Sequence, residues 1–199
     1  MNNIQTIQDK MLMSLKKLEN KHVSDIFAYY KTKPQNSKSS YVNSMGIALT
    51  KNGFTYRLIQ DNKITIRSLV LDETNQISES LAFEKIEFKF LKKQAFEDTE
   101  MFHILKNGLM LNLFNQDFVY IRSLVVRFTE EQKEKAKKAF ETLRDNYQTT
   151  NEHLIRITED LFMHTRHKDN DSKIKKLQFA NALRSDLYWF INKKEIVIA

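Results

Sequence analysis

The sequence predicts an α+β protein in which an antiparallel β core is preceded by a helix and followed by a helical extension. Three observations lead to this prediction. Residues 4–31 carry apolar side chains at helical spacing, and segments between 44 and 127 alternate apolar and polar side chains as half-buried strands do. Residues 129–132, Thr-Glu-Glu-Gln, match a capping box, so a helix is expected to begin there.

An internal repeat supports the β core. The tripeptide Lys-Asn-Gly occurs at 51–53 and 106–108, and Ile-Arg-Ser-Leu-Val follows each copy at the same distance, at 66–70 and 121–125. Asn-Gly predicts a hairpin turn, because both residues tolerate a positive φ. Neither copy carries enough strands for a core of its own. We therefore predict one hairpin used in each half of a single sheet system.

The remaining elements follow in chain order. A polar segment with the only proline, at 33–40, is expected to link the N-terminal helix to the β core. The predicted strands are 44–50, 53–60, 63–71, 82–91, 101–106, 109–114 and 118–127, and a short helix capped at Asp98 or Thr99 is the alternative for 92–107. Helices are predicted from Thr129 to about 147, from 149 to 165 and from 172 to 190, and a terminal strand at 195–199. The predicted domains are 1–33 (amphipathic helix), 41–148 (β domain with its closing helix) and 149–199 (helical extension).

Seven short strands followed by a helix resemble bacterial pleckstrin-homology-like (PH-like) domains. Residues 46–53, Gly-Ile-Ala-Leu-Thr-Lys-Asn-Gly, look like the opening hairpin of these domains, and 77–86 looks like their connection into a later strand. The resemblance covers residues 41–147. It implies a bent barrel closed by its C-terminal helix, and binding of lipids, proteins or peptides. Two packed meanders are the alternative architecture for the β core. No ligand-binding residue carries over.

The composition excludes several classes of function. The chain has 199 residues, 41% of them hydrophobic and 11% aromatic, which predicts a folded protein. It has no cysteine, so disulfides and cysteine-based metal sites or nucleophiles are excluded. Its three glycines are isolated from one another, whereas phosphate-binding loops need several together. No apolar run reaches the length of a membrane span and no secretory signal is evident, so we expect a cytoplasmic protein. We expect no cofactor.

Basic side chains provide one candidate site. The net charge of +7 favours a polyanionic partner such as nucleic acid. The C-terminal third concentrates this charge, and Lys173, Lys175 and Lys176 are the residues that we expect to contact phosphates. Acidic residues are interspersed among these lysines, so an ordinary solvated face is the other interpretation.

Two further sets of residues are candidates for binding. Arg67 and Arg122 occupy equivalent positions in the repeat. One interpretation is a paired anion site, and the other is two structural arginines whose aliphatic stems pack against the protein. Tyr188 and Trp189 lie in a segment that is apolar on more than one side, which favours an interface with a protein partner or another copy of the chain. His164 and His167, with Asp169 and Asp171, have the side chains to hold a metal ion, but histidines also suit a polar helix end, so no metal site is predicted.

These patterns support binding more than catalysis. The first hypothesis is a non-enzymatic cytosolic binding or regulatory protein that acts through protein–protein contacts or self-association. The alternative is a basic nucleic-acid-associated protein, of the kind encoded by phages or mobile elements. An enzyme of unknown type comes third, because no pairing of a nucleophile with a base stands out in the sequence.

Overall fold

The computed structural model describes residues 3–34, 39–74, 81–87, 93–146, 154–156, 161–166 and 184–189. The described helices are α1 (Asn3–Lys16), α2 (Val23–Tyr29), α3 (Ser40–Lys51), α4 (Tyr56–Asp61), α5 (Glu100–Asn107) and α6 (Glu130–Asn146), with a 3-10 helix at Phe96–Asp98. The described strands are β1 (Thr65–Val70), β2 (Leu81–Glu87), β3 (Leu109–Phe114), β4 (Tyr120–Val126), β5 (Leu154–Arg156), β6 (Leu161–Arg166) and β7 (Arg184–Trp189). None of these helices is long and apolar enough to cross a bilayer.

The described residues divide into two compact units. The first contains 3–34, 39–74 and 107–127, and the second contains 81–87, 93–106, 128–146 and the strands β5, β6 and β7. Each unit has its own sheet. The predicted domains, 1–33, 41–148 and 149–199, stay predictions.

A three-stranded mixed sheet forms the centre of the first unit. Its order is β1-β3-β4, with β1 parallel and β4 antiparallel to the central β3. These strands do not close into a barrel, and the α+β class with an N-terminal helix is confirmed. The barrel and the purely antiparallel core are therefore wrong for this sheet, because β1 and β3 run in the same direction. The wider PH-like resemblance stays a prediction.

The N-terminal helix buries the apolar face that its spacing predicts. Ile7, Met11 and Leu15 are buried, and they join a core cluster with residues of α2, α3 and the sheet. The predicted single helix over 4–31 is nevertheless two helices. Backbone bonds from Asn20 N to the Tyr120 carbonyl (2.8 Å) and from Tyr120 N to the Lys21 carbonyl (2.9 Å) replace the helical bonds between them. The chain restarts as α2 at His22, whose ring accepts a hydrogen bond from Ser24 N.

The predicted strands at 44–50 and 53–60 are wrong, because these residues form α3 and α4. Met45, Ala48 and Leu49 are buried, and their spacing is that of a helix face. A short apolar run fits either period, so alternation over a few residues could not decide between the two. Tertiary packing of α3 against α2 selects the helix.

Each Lys-Asn-Gly of the repeat lies at the C-terminal end of a helix, and each Ile-Arg-Ser-Leu-Val lies in a strand, β1 or β4. Gly53 and Gly108 have φ of +91° and +87°. Gly108 directly follows α5, and Gly53 follows Asn52, the residue that caps the C-terminus of α3. Glycine is the usual residue for this left-handed position at a helix C-terminus. The hairpin turns predicted at Asn52-Gly53, within 46–53, and at Asn107-Gly108 are therefore wrong. The helical alternative for 92–107 is right, and Thr99 caps α5 by accepting a hydrogen bond from Phe102 N (3.0 Å).

The capping box that starts α6 is confirmed in the second unit. Thr129 Oγ1 accepts from Gln132 N (3.2 Å), and the Gln132 side chain accepts from Thr129 N (2.9 Å). The sheet of this unit is antiparallel, in the order β2-β7-β6-β5.

The helical extension over 149–199 is wrong wherever the structure describes it, since β5, β6 and β7 lie there. Their apolar runs fit either element, and antiparallel pairing between distant segments selects strands. The predicted terminal strand at 195–199 lies outside the described residues.

Candidate binding surfaces

Arg67 and Arg122 lie on the same face of the first sheet, on the two strands that flank β3. Arg67 is in register with Leu111, and Arg122 is in register with Leu113. Their Cα atoms lie about 12 Å apart, because their strands are two strand spacings apart and the residues are offset by two positions along the strands. Both side chains are half-buried, and Arg67 donates to the Ile66 carbonyl (3.2 Å). This bond suits the structural interpretation, and the paired anion site stays a prediction.

The other predicted binding residues are only partly described. Lys173, Lys175 and Lys176 lie outside the described residues. Tyr188 and Trp189 belong to the backbone of β7, an interior strand, where Tyr188 is in register with Ala82 and Phe162. Their predicted position on a helix is therefore wrong, and their role at an interface stays a prediction.

A row of polar side chains crosses the opposite face of the first sheet. Asn112 on β3 is fully buried, and its Nδ2 donates to Ser68 Oγ on β1 (3.2 Å). Ser123 Oγ on β4 donates to Asn112 Oδ1 (2.5 Å) and contacts the Tyr120 hydroxyl (2.6 Å). Burial raises the pKa of Tyr120, although its hydrogen bond to Ser123 opposes this change. The row satisfies buried polar groups in the middle of the core.

The turn between β3 and β4 presents an aromatic side chain at the surface. Asn115 shapes this turn, because its carbonyl accepts from Phe118 N (3.0 Å) and its side chain accepts from Val119 N (2.9 Å). Phe118 follows with a φ of +58°, in a left-handed conformation that glycine occupies in hairpins of this kind. For an L-residue other than glycine, this conformation costs roughly 1–2 kcal/mol.

Phe118, Tyr41 and Val42 together form what we term the hairpin patch. The Phe118 ring is 40% exposed and stacks on Tyr41, with centroids 5.9 Å apart and planes 24° apart. Val42, next to Tyr41 on α3, is 43% exposed. The Phe118 carbonyl accepts from Val23 N (3.0 Å), which fixes the turn against the start of α2. The patch is thus apolar, exposed and held in place.

A second exposed aromatic lies at the end of α2, in what we term the Tyr29 surface: Lys17, Lys21, Tyr29, Tyr30 and Asn52. Tyr29 is 53% exposed, and the ammonium groups of Lys17 and Lys21 lie 5.6 Å and 5.9 Å from its ring centroid. Its ring meets Tyr30 edge to face, with centroids 4.9 Å apart. Asn52 ties the group together by accepting from Lys17 Nζ (2.9 Å) and donating to the Tyr30 hydroxyl (3.0 Å).

A groove of about 300 Å³ lies in the second unit. Phe96, Phe102 and Leu105 contribute its apolar lining, and lysine and glutamate side chains contribute the rest. Lys137 donates to Glu97 (2.8 Å), and this hydrogen bond holds the pKa of Glu97 below its usual range. Lys133 pairs with Glu130 (2.6 Å). Charges around the groove are therefore largely paired within the unit.

No protein-family model matches the chain, and no curated protein sequence matches it.

The sequence analysis predicted neither the hairpin patch nor the Tyr29 surface. The sequence did contain a signal for Phe118. It directly follows the turn residues Asn115 to Asp117, and hairpins usually have glycine at this position and not a bulky residue. The Tyr29 surface had none, because Lys17, Tyr29 and Asn52 come together only through the packing of α1, α2 and α3.

Proposed function

We propose that this chain is a non-enzymatic binding protein that acts through protein–protein contacts made by the hairpin patch. The observation that carries the proposal is Phe118, a bulky residue in a left-handed conformation with its ring partly exposed. An exposed ring contributes less to folding than a buried one, and its backbone conformation costs free energy. Such strain is characteristic of functional positions, and rigid aromatic side chains are common anchors of interfaces.

The size of the patch indicates what kind of contact it makes. A stable interface buries about 800 Å² on each partner, which is more than three side chains can supply. The contact is therefore weak and reversible, and Phe118 inserts into an apolar recess of a second copy or of another protein. Preorganisation by Tyr41 and by the backbone bond to Val23 limits the entropy lost on binding.

Sedimentation velocity over about a 100-fold range of concentration tests association between copies. The informative variant is Phe118→Asn, because asparagine tolerates the left-handed conformation and removes only the ring. We expect the wild type to associate reversibly and Phe118→Asn to remain monomeric. Tyr56→Asn is the control, since Tyr56 is 74% exposed on α4, and it should associate as the wild type does. Loss of association in both variants would contradict a specific role for Phe118.

Photo-crosslinking tests association with another protein. A photoreactive amino acid replaces Val42, and irradiation is performed in the native host. A discrete crosslinked product that Phe118→Asn abolishes supports the proposal. A photoreactive amino acid in place of Tyr56 is the control. If it gave the same crosslinked product, the product would be assigned to random collision. The absence of both a crosslinked partner and concentration-dependent association would overturn the proposal.

We also propose that the protein works in the cytosol. A chain of 199 residues without cysteine suits a reducing compartment, where disulfides do not contribute to stability. The predicted nucleic-acid contact through Lys173, Lys175 and Lys176 and the enzyme hypothesis stay predictions.

A further inference from the structure

We propose that the Tyr29 surface binds single-stranded nucleic acid, with one base stacked on Tyr29 and the flanking phosphates contacted by Lys17 and Lys21. The proposal concerns a different surface from the hairpin patch and does not depend on it. It also differs in place from the predicted C-terminal lysines.

The first support is the combination of chemical groups. Single-stranded nucleic acid is bound without sequence preference by exposed aromatic rings that stack on bases and by cations that follow the backbone. Tyr29 supplies the ring, and Lys17 and Lys21 supply two cations within 6 Å of it. A cation–π contact at an exposed site is worth only about 0.5–1 kcal/mol, so both ammonium groups can leave the ring when a base takes their place.

The second support is that the cations are not already neutralised. Within the described part of the chain, neither Lys17 nor Lys21 pairs with a carboxylate. The lysines of α6 differ, because Lys133 and Lys137 pair with Glu130 and Glu97. A basic surface without bound acids releases counterions when it meets phosphates, which is the main source of affinity for nucleic acid.

The third support is preorganisation. Asn52 accepts from Lys17 and donates to Tyr30 and to the Ser14 carbonyl (3.3 Å), so α1, α2 and α3 meet at this side chain. The Tyr30 ring in turn supports Tyr29 edge to face. A ring that is fixed before binding loses little entropy when a base stacks on it.

Neighbouring charge extends the surface along α1. Residues 3–34 contain six lysines and three acidic residues. Lys10 and the 76% exposed Met13 are neighbours on α1, and Lys17 is the first residue after this helix. A nucleic-acid backbone that runs from Lys10 to Lys17 would meet a cation at each end.

The test is fluorescence anisotropy of the purified full chain with labelled oligo-dT and oligo-U of about 12 nucleotides, a length within the site sizes of such proteins. Tyr29→Ala should weaken binding about 5- to 150-fold, because base stacking on an aromatic ring is worth about 1–3 kcal/mol. Tyr29→Phe keeps the ring and should stay within about twofold of the wild type. Tyr56→Ala is the matched control for an exposed tyrosine elsewhere and should bind as the wild type does.

Salt dependence tests the lysines. Changing Lys17 and Lys21 together to glutamine should reduce the slope of log K against log salt by about 1.4, which is 0.7 for each lost phosphate contact. The same double change at Lys133 and Lys137 is matched in charge and should leave the slope almost unchanged. Unfolding curves of the variants should differ only slightly, because Lys17, Tyr29 and Tyr56 are exposed and Lys21, Lys133 and Lys137 are half-buried.

Three results would overturn the proposal. The first is no binding of either oligonucleotide by the wild type at low salt. The second is equal affinity of Tyr29→Ala and Tyr29→Phe, which would exclude stacking. The third is equal affinity for duplex DNA or for vesicles containing phosphatidylserine, which would assign the surface to charge alone.

Discussion

Ser68 and Ser123 hydrogen bond to opposite ends of the same carboxamide, that of Asn112. They are equivalent residues of the internal repeat, and they lie on the two strands that flank β3. The repeat therefore places one copy of Ile-Arg-Ser-Leu-Val on each side of a central strand. Because β1 is parallel and β4 antiparallel to β3, the same pentapeptide serves two strand directions.

The two serines should differ in their contribution to stability. Ser123 contacts both Asn112 and the Tyr120 hydroxyl, whereas Asn112 is the hydrogen-bond partner of Ser68 among the described residues. A buried polar group left without a partner costs about 1–3 kcal/mol. We therefore expect Ser123→Ala to lower the free energy of unfolding by at least about 1 kcal/mol more than Ser68→Ala does, measured by urea denaturation. Equal losses would show that the Tyr120 hydroxyl finds another partner.

The two glycines of the repeat provide a matched pair. A Cβ on Gly53 would meet nothing within 4 Å, so Gly53→Ala should cost only the left-handed backbone strain, about 1 kcal/mol. A Cβ on Gly108 would lie 2.8 Å from the Val126 carbonyl and 2.7 Å from Arg127 Nη1. Arg127 cannot move away freely, because its guanidinium donates to the Asn107 carbonyl and to the side chains of Gln5 and Gln8.

We therefore expect Gly108→Ala to cost about 3 kcal/mol, clearly more than Gly53→Ala. Thermal and urea unfolding of both variants would measure the difference. A cost at Gly108 no larger than at Gly53 would mean that β4 shifts to make room for the methyl group.

How far the sequence predicted the fold depends on whether a local signal was unique. The capping box at Thr129 has one structural meaning, so the start of α6 was predicted correctly. The strands at 109–114 and near 63–71 and 118–127 were also predicted, because their alternation continues over a whole strand. Asn-Gly has two meanings, a hairpin turn or a helix end, and only the packing of α3 decides between them.

The candidate surfaces were less predictable than the fold. The residues of the Tyr29 surface lie at or just beyond the ends of α1, α2 and α3, and no spacing in the sequence joins Lys17 to Asn52. The repeat did place Arg67 and Arg122 in strands, on one face of the sheet. It could not reveal that the row of hydrogen bonds lies on the other face, through Ser68 and Ser123, because Asn112 lies outside the repeated pentapeptides.

Tyr120 should make the protein less stable at high pH. Burial raises its pKa in the folded state above the unfolded value of about 10. Below pH 10 both states hold the proton and the contribution is complete, and above it only the unfolded state releases the proton, so stability falls. The slope should approach 1.4 kcal/mol per pH unit at about pH 11 and above. Tyr120→Phe cannot ionise, so its urea unfolding free energy should fall less steeply between about pH 9 and 11. Parallel curves for the two proteins would contradict a raised pKa.

Phe118 offers a test in which backbone strain is separated from the loss of the ring. Phe118→Ala and Phe118→Gly both remove the aromatic side chain, but only glycine adopts a φ of +58° without steric cost. We expect Phe118→Gly to be more stable than Phe118→Ala by about 1 kcal/mol.

The matched control is Lys63, which has a φ of +52° in the turn after α4. Lys63→Gly should exceed Lys63→Ala in stability by a similar amount, with no effect on association. If Phe118→Gly and Phe118→Ala unfold at the same denaturant concentration, then the turn relaxes without the ring. The strain at position 118 would in that case arise from the stacking on Tyr41 and not from the backbone path of the hairpin.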